Sequence, residues 1–312
     1  MTGTDVAVVV KPDSPAHVKN PRRKRGKYGS ISFYFIVPAA VMYLFVVLWP
    51  SLQGVAFSFT DWDGLSQVRN FVGFDQFARV FSDPASVGAL FHALILAAGI
   101  TIIQNGIGLL LALGVNSKIK SRNVLRVFLF APAVITPVAA AYLWQYMLAP
   151  TGVVNQILSM LGLGALRQDW LGNPDLALGS IIAIVVWEFA GYSMVIYLAG
   201  LQGVPAEVIE ASKVDGAGTF RRFWYIVRPH LGPAFTVTLM LSLIGSLKLF
   251  DQIQVTTGGG PGYATQTPST LIYSNIFQFN DFGYGIAIAL VLTVFVAAIS
   301  SVQYYGLTRE GK

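Results

Sequence analysis

The side chains able to do chemistry are few and widely spaced. Histidine occurs three times, at His17, His92 and His230, and cysteine never. Thiolate nucleophiles, disulfides, haem attachment and zinc–thiolate sites are therefore excluded. Within the long apolar stretches there are no paired carboxylates and no His cluster for a metal, and no glycine run is followed by the Lys-Ser/Thr of a phosphate cradle. What remains is a set of polar residues embedded in apolar sequence: Gln104-Asn105, Glu188 with Tyr192 four residues on, and Lys248 with Asp251 three residues on. A charge at the centre of a membrane helix costs about 2.5–3.5 kcal/mol. Glu188 must therefore face an interior, find a partner or be protonated, and Tyr192 shares its helix face. With the rings of Tyr142, Trp144 and Trp187, these residues offer a polar pocket; interhelical hydrogen bonding is the plainer alternative. Gln104 and Asn105 fit that alternative, Glu188 and Tyr192 fit both. Lys248 and Asp251 are expected to pair locally or to form a gate contact, and His92 to be a bystander.

The elements that hold these residues are read from hydropathy. Hydrophobic residues make up 54% of the 312 and charged residues 12%, whereas a soluble domain carries about 25% charged residues. The chain is expected to be an all-α membrane protein, one bundle rather than several domains. About 20 mostly apolar residues cross the hydrocarbon core as a helix, and six stretches qualify: 32–57, 88–115, 124–148, 176–201, 231–255 and 283–307. Gly106, Gly108 and Gly114 in the second are expected to allow close helix packing. Of the 21 Lys and Arg, 17 lie up to Lys27, from Lys118 to Arg126, from Lys213 to Arg228 and after the sixth stretch; the alternate loops hold only Arg69, Arg79 and Arg167. Cationic loops stay cytoplasmic, so both termini are predicted to be cytoplasmic. The net charge of +6 follows this topology and implies no nucleic acid. Residues 1–30, with Arg22-Arg23-Lys24-Arg25 and three prolines, are predicted to be a disordered basic cytoplasmic tail, and residues 31–312 the transmembrane domain. The outer loops differ in kind: one holds Asp61, Asp63, Asp75 and Asp83, and another opens with Thr256-Thr257-Gly258-Gly259-Gly260-Pro261-Gly262, which favours a tightly shaped backbone.

A polar island at 202–230 interrupts the apolar pattern on the basic side. Pro205 suits the first position of a helix, Glu207 and Glu210 suit its early turns, and Gly216 suits the left-handed residue that ends it. Thr219 is expected to cap a second helical segment running to Val227. The first helix, of about ten residues, would be about 15 Å long. On composition it is a surface helix held at the membrane by Phe223, Trp224 and Tyr225. The sharper expectation is that it docks into a groove on a cytoplasmic partner, with Glu210 making charge-assisted hydrogen bonds.

Glu210-Ala211-Ser212, then Gly216, then nine residues to Ile226 and Pro229, resembles the Glu-Ala-Ala…Gly…Ile-x-Leu-Pro loop of the permease subunits of binding-protein-dependent ABC importers. Asp215 before Gly216 and Phe223 before Ile226 match the sugar-importer version; Ser212 stands in place of the last Ala and Arg228 in place of Leu. Trp187, Gly191, Leu198-Ala199-Gly200-Leu201-Gln202, Pro205, Phe250-Asp251 and Asp281-Phe282-Gly283-Tyr284-Gly285 are similar too, most of all to the first permease subunit of the maltose and glycerol-phosphate type. The resemblance implies a six-transmembrane-helix permease bundle in the bacterial plasma membrane, with no catalytic residue, metal or cofactor of its own. It implies a second permease subunit, ABC ATPase subunits that use ATP and Mg, and an extracellular solute-binding protein that delivers a carbohydrate. Glu210, Ala211, Ser212, Asp215, Gly216, Ala217, Ile226 and Pro229 would couple to the ATPase, and Glu188, Tyr192, Trp187, Lys248 and Asp251 would line the substrate path. The alternative is a proton-coupled secondary carrier using Glu188, but such carriers show repeated halves and no repeat is visible.

Overall fold

The structure, a computed structural model, describes residues 28–117 and 120–309; the basic run Arg22-Arg23-Lys24-Arg25 and Lys118 lie outside the described residues. Among the described residues all regular structure is helical, with one isolated bridge, Thr60 to Phe71. Two compact units divide between Ser51 and Leu52. Helix α1 (Tyr28–Tyr43) passes through a π turn (Leu44–Leu48) into α2 (Trp49–Phe57). Pro50 lacks the N–H that an α-helix would return to an earlier carbonyl, and the wider turn stands just before it. The stretch Tyr34–Phe57 is 24 residues long and apolar enough to cross a membrane.

In the second unit, α3 (Asp75–Ser82) precedes α4 (Pro84–Val115), whose cap, Asp83, accepts from the backbone N–H of Ala85 at 3.1 Å. Then come α5 (Arg122–Phe130), a 3-10 turn (Ala131–Val134), α6 (Pro137–Met147), α7 (Val153–Met160) and α8 (Pro174–Gln202), the last capped by the side chain of Asn173. The loop helices α9 (Ala206–Val214), α10 (Thr219–Arg222) and α11 (Arg228–His230) follow, with a π turn (Phe223–Val227) inside the last pair. The chain ends with α12 (Gly232–Leu247), α13 (Asp251–Thr256), α14 (Pro268–Phe277) and α15 (Phe282–Arg309).

Four helical stretches are long and apolar enough to span a membrane, and two bent pairs raise the number to six if each pair is one crossing. Counted that way, each of the six expected stretches has a helical counterpart among the described residues, but two of them are not straight. The third bends by 96° between Arg122–Val134 and Pro137–Met147, because Pro137 forces the residue before it, Thr136, into extended backbone (φ −65°, ψ 142°). The fifth bends by 73° between Thr219–His230 and Gly232–Leu247; expected to run over 231–255, its apolar helix instead stops at Leu247, and the chain resumes as α13 only at Asp251.

The core is built on α4 and α8, which run parallel. Near their starts Leu96 and Ile100 meet Ile181 and Val185; near their ends Ala112 and Val115 meet Met194, Tyr197, Leu198 and Leu201. Helix α12 runs the other way, with Leu231 and Ala234 at the ends of α4 and α8 and Leu243 and Leu247 beside Ala93 and Ala97. Gly108 makes the close approach possible: a Cβ there would lie 2.6 Å from Ser193 Cβ and 3.1 Å from the Ala190 carbonyl oxygen. Gly106 and Gly114, expected to serve the same purpose, have no atom within 4 Å of where a Cβ would stand.

At the end of the bundle where α4 and α15 begin, Arg79 pairs with Asp281 at 2.6 Å and lies 3.8 Å from the ring centroid of Tyr284. The Tyr284 hydroxyl donates to Asp83 at 3.0 Å and lies 2.7 Å from Ser86 Oγ. His92, expected to be a bystander, instead ties α4 to the glycine loop through Nδ1, 3.0 Å from the Gln266 carbonyl oxygen.

Candidate functional site

The island at 202–230 folds as a short helix closed by a tight stop. Glu207 sits in the first turn of α9, and Pro205 is its cap (φ −58°, ψ 130°) rather than its first helical residue. Gly216 adopts φ +75°, a conformation in which other residues are strained. Its N–H donates to the Lys213 carbonyl at 3.1 Å, and the Ala217 N–H to the Ser212 carbonyl at 2.9 Å. This pair of bonds is the Schellman arrangement, which satisfies the last carbonyls of the helix. Gly218, not Thr219, takes the cap position of α10, its small size suiting the extended backbone there. Ser212 is buried and donates its hydroxyl to the Ile209 carbonyl at 2.7 Å, which explains how a serine fills a position meant for alanine. The opposite side of α9 is open: Glu210 and Ala211 are exposed, Val214 is 89% exposed, and Glu210 has no ion pair among the described residues. Ile226 is half-buried and Pro229 exposed. Phe223 and Val227 pack on the cluster that joins the ends of α4, α8 and α12. Of the three aromatic residues expected at the membrane surface, Phe223 thus faces inward, while Trp224 and Tyr225 are exposed.

The second feature is a cavity of about 370 Å³ beside the break between α12 and α13, within the range of small-molecule sites, about 300–1,000 Å³. Tyr192, Lys248 and Asp251 line it, as expected from the sequence. Glu188 does not. It is fully buried behind the wall, where its Oε2 accepts from Gln252 Nε2 at 2.9 Å and its Oε1 has no partner. Trp187 faces a different concavity and packs edge-on against Trp144 at 5.4 Å. Lys248 and Asp251 do not form the expected ion pair, since Arg79–Asp281 is the sole one among the described residues. The interruption at Lys248–Phe250 takes the two off a common helix.

Several lining residues were missed: Ser193, Thr238, Ser242, Ser246 and Gln252. Gln104 and Asn105 make the interhelical bonds expected of them. Gln104 Nε2 donates to Ser193 Oγ at 2.9 Å, Asn105 Nδ2 to Ser242 Oγ at 2.8 Å, and the Tyr197 hydroxyl to Asn105 Oδ1 at 3.0 Å. Gln104 lines the cavity as well. Helix α13 is held from its other side by Gln145, whose Nε2 donates to the Val255 and Thr256 carbonyls at 3.2 and 3.3 Å. Among the described residues no group of His, Cys, Asp and Glu is arranged to hold a metal ion.

Known proteins are similar to this chain in sequence and in architecture. The chain is 33% identical, over 89% of its length and 94% of the relative's, to the "Probable starch degradation products transport system permease protein" of Thermoanaerobacterium thermosulfurigenes. It is 31% identical, over 90% of its length and 96% of the relative's, to the "Multiple sugar-binding transport system permease protein" of Streptococcus mutans. A chain in the crystal structure of a bacterial ABC transporter involved in the import of the acidic polysaccharide alginate superposes with a TM-score of 0.80 at 24% identity, covering 92% of this chain and 98% of that one; this likeness establishes the fold. Residues 104–308 match the sequence profile of one family over most of the crossings described above, both candidate sites included. The chain therefore belongs to the family described as "Binding-protein-dependent transport system inner membrane component".

Proposed function

We propose that this chain is the permease subunit of an ATP-driven importer for a carbohydrate, and that α9 is the element through which ATP hydrolysis in a partner subunit moves the membrane helices. An extracellular solute-binding protein hands over the sugar, and a second permease completes the path. ATP and Mg belong to the partner ATPase; this chain binds no cofactor and no nucleic acid. The carbohydrate is supported by the relatives, whose names refer to starch degradation products and to multiple sugars. The proposed orientation, with the 202–230 loop and both termini on the cytoplasmic side of a bacterial plasma membrane, is supported by the distribution of Lys and Arg.

The observation that carries the coupling role is the form of α9: an exposed helix between α8 and α12, with Ser212 its single buried residue and a glycine stop at Gly216. A helix that served only to join two spans would not need an open face bearing unpaired Glu210. Its exposed side, with Glu210, Ala211 and Asp215, is offered to the ATPase, while Ala217, Ile226 and Pro229 fix the return into α12. Nothing observed favours a self-sufficient carrier. The test is ATP-driven sugar uptake in vesicles containing all partners. Glu210→Lys should leave the chain inserted and lower uptake by about tenfold or more, and undiminished uptake would overturn the assignment.

A further inference from the structure

We infer that the segment returning from α9 to α12 binds anionic phospholipid at the cytoplasmic surface of the membrane, with Arg228, stacked on Trp224, holding the lipid phosphate. The inference rests on the permease assignment and the orientation proposed above and goes beyond them in naming what this segment binds.

Residues Thr219–His230 form one helical run that meets Gly232–Leu247 at 73°. With α12 crossing the membrane, the run lies close to the membrane plane. Its depth is set from inside, because Phe223 and Val227 pack on the cluster where α4, α8 and α12 meet. The run carries Arg221, Arg222 and Arg228 and no Asp or Glu. None of the three arginines is ion-paired, since Arg79–Asp281 is the sole pair among the described residues. Beside them Phe220, Trp224 and Tyr225 are 80%, 47% and 72% exposed. A basic, aromatic helix lying in the interface buries its rings at the headgroup level and turns its cations to the phosphates. The charge is of one sign, and the cytoplasmic leaflet supplies the other.

Phe220, Trp224 and Arg228 stand four residues apart and make one stripe. The rings of Phe220 and Trp224 stack with centroids 6.1 Å apart and 8° between their planes, and the Arg228 guanidinium carbon lies 4.8 Å from the Trp224 ring centroid. The ring face attracts and orients the guanidinium. A planar fork of N–H donors so oriented can meet two phosphate oxygens at once. Arg228 stands in place of Leu in the loop pattern described above, so the grip is a property of this chain rather than of the pattern. A phosphate held there ties the return into α12 to the membrane surface.

The test uses the assembled permease–ATPase complex in vesicles of equal parts phosphatidylcholine and phosphatidylglycerol. The chain has no cysteine, so Tyr225→Cys, with partner subunits freed of accessible cysteine, places a fluorescent label beside the stripe. One lipid at a time carries brominated chains, and quenching reports how much of that lipid lies against the label. Phosphatidylglycerol should be enriched over phosphatidylcholine by about fivefold or more, and Arg228→Leu should lower the enrichment by about fivefold, the worth of one arginine at an anionic surface. Trp224→Ala, which keeps every charge, should lower it by about twofold. Enrichment unmoved by either substitution overturns the inference, as does equal quenching by the two lipids in wild type. Should a variant not assemble, salt gives the same reading on wild type: going from about 0.05 M to about 0.5 M NaCl should reduce the enrichment, and enrichment that salt leaves untouched overturns the inference. Quenching by neither lipid shows that protein covers the stripe, and overturns it too. Should Val214→Cys on α9 react with a membrane-impermeant maleimide in intact cells, the proposed orientation falls and takes the inference with it. If Val214→Cys reacts only in opened cells and the two lipids quench alike, the inference alone falls.

Discussion

Asn105 meets three partners at once: the Thr101 carbonyl, Ser242 Oγ and the Tyr197 hydroxyl, at 2.7, 2.8 and 3.0 Å. Asn105→Ala should therefore cost about 1–2 kcal/mol of stability, read by thermal unfolding in detergent. The glycines separate in the same way. A Cβ on Gly191 would collide with the Leu129 carbonyl oxygen, whereas one on Gly106 would meet nothing. Gly191→Ala should cost about 1–3 kcal/mol and Gly106→Ala nothing measurable, in the same assay. In the first outer loop, hydrogen bonds from the Asn70 side chain and backbone N–H hold the Asp61 carboxyl below its ordinary 3.8, and those from the Ser66 and Leu65 N–H groups do the same for Asp63. Because these values are lowered on folding, the ordering they give is complete above the ordinary carboxylate value and is lost as pH falls through the folded one. The Trp62 indole, which donates to the Ser66 carbonyl at 2.8 Å, should keep a constant fluorescence anisotropy from neutral pH down to about pH 4 and change only below that. Asn105 stood out in the sequence because an amide in apolar surroundings must find partners. The Ser and Thr of α12 did not, because back-bonded hydroxyls are quiet and no apolar stripe marks which face of an all-apolar helix is the inner one. Trp187 was grouped with Glu188 as its neighbour in sequence, yet adjacent helical residues point about 100° apart.

The elements show what hydropathy alone can and cannot reveal. Six apolar stretches were legible because each is long enough to cross the hydrocarbon core. The break at Lys248–Phe250 was not, since no Pro or Gly stands at it and Leu247, Leu249 and Phe250 carry the apolar run across it. Helices α3, α7 and α14 were read only as outer loops, although Pro268 and the Thr267–Thr270 capping box mark the start of α14. The stop of α9, by contrast, was legible from Gly216 alone, since a left-handed residue is what ends such a helix. Gly216→Pro should leave the chain inserted but lower ATP-driven uptake by about tenfold or more, because φ +75° is closed to proline. Undiminished uptake in vesicles containing all partners would show that the shape of this turn is immaterial to transport.

For the molecule as a whole, the proposed orientation can be checked with unusual economy, since the chain contains no cysteine. Val214→Cys, at a position 89% exposed on α9, should react with a membrane-impermeant maleimide only after the cells are opened; Tyr263→Cys, 66% exposed in the glycine loop, should react in intact cells. The reverse pattern would invert the topology. Helix α8 also has a mechanical property. Its 29 residues extend about 44 Å, α4 lies alongside from Leu96 to Val115, and Gly108 keys one against the other. Two rods interlocked over the about 30 Å from Leu96 to Val115 make a stiff shaft, so under the proposed coupling a thrust entering beside α9 would reach the far rim with little loss. Slack has to be found elsewhere, and Lys248–Phe250, where the neighbouring helix lets go of its own ladder, is the joint best placed to give.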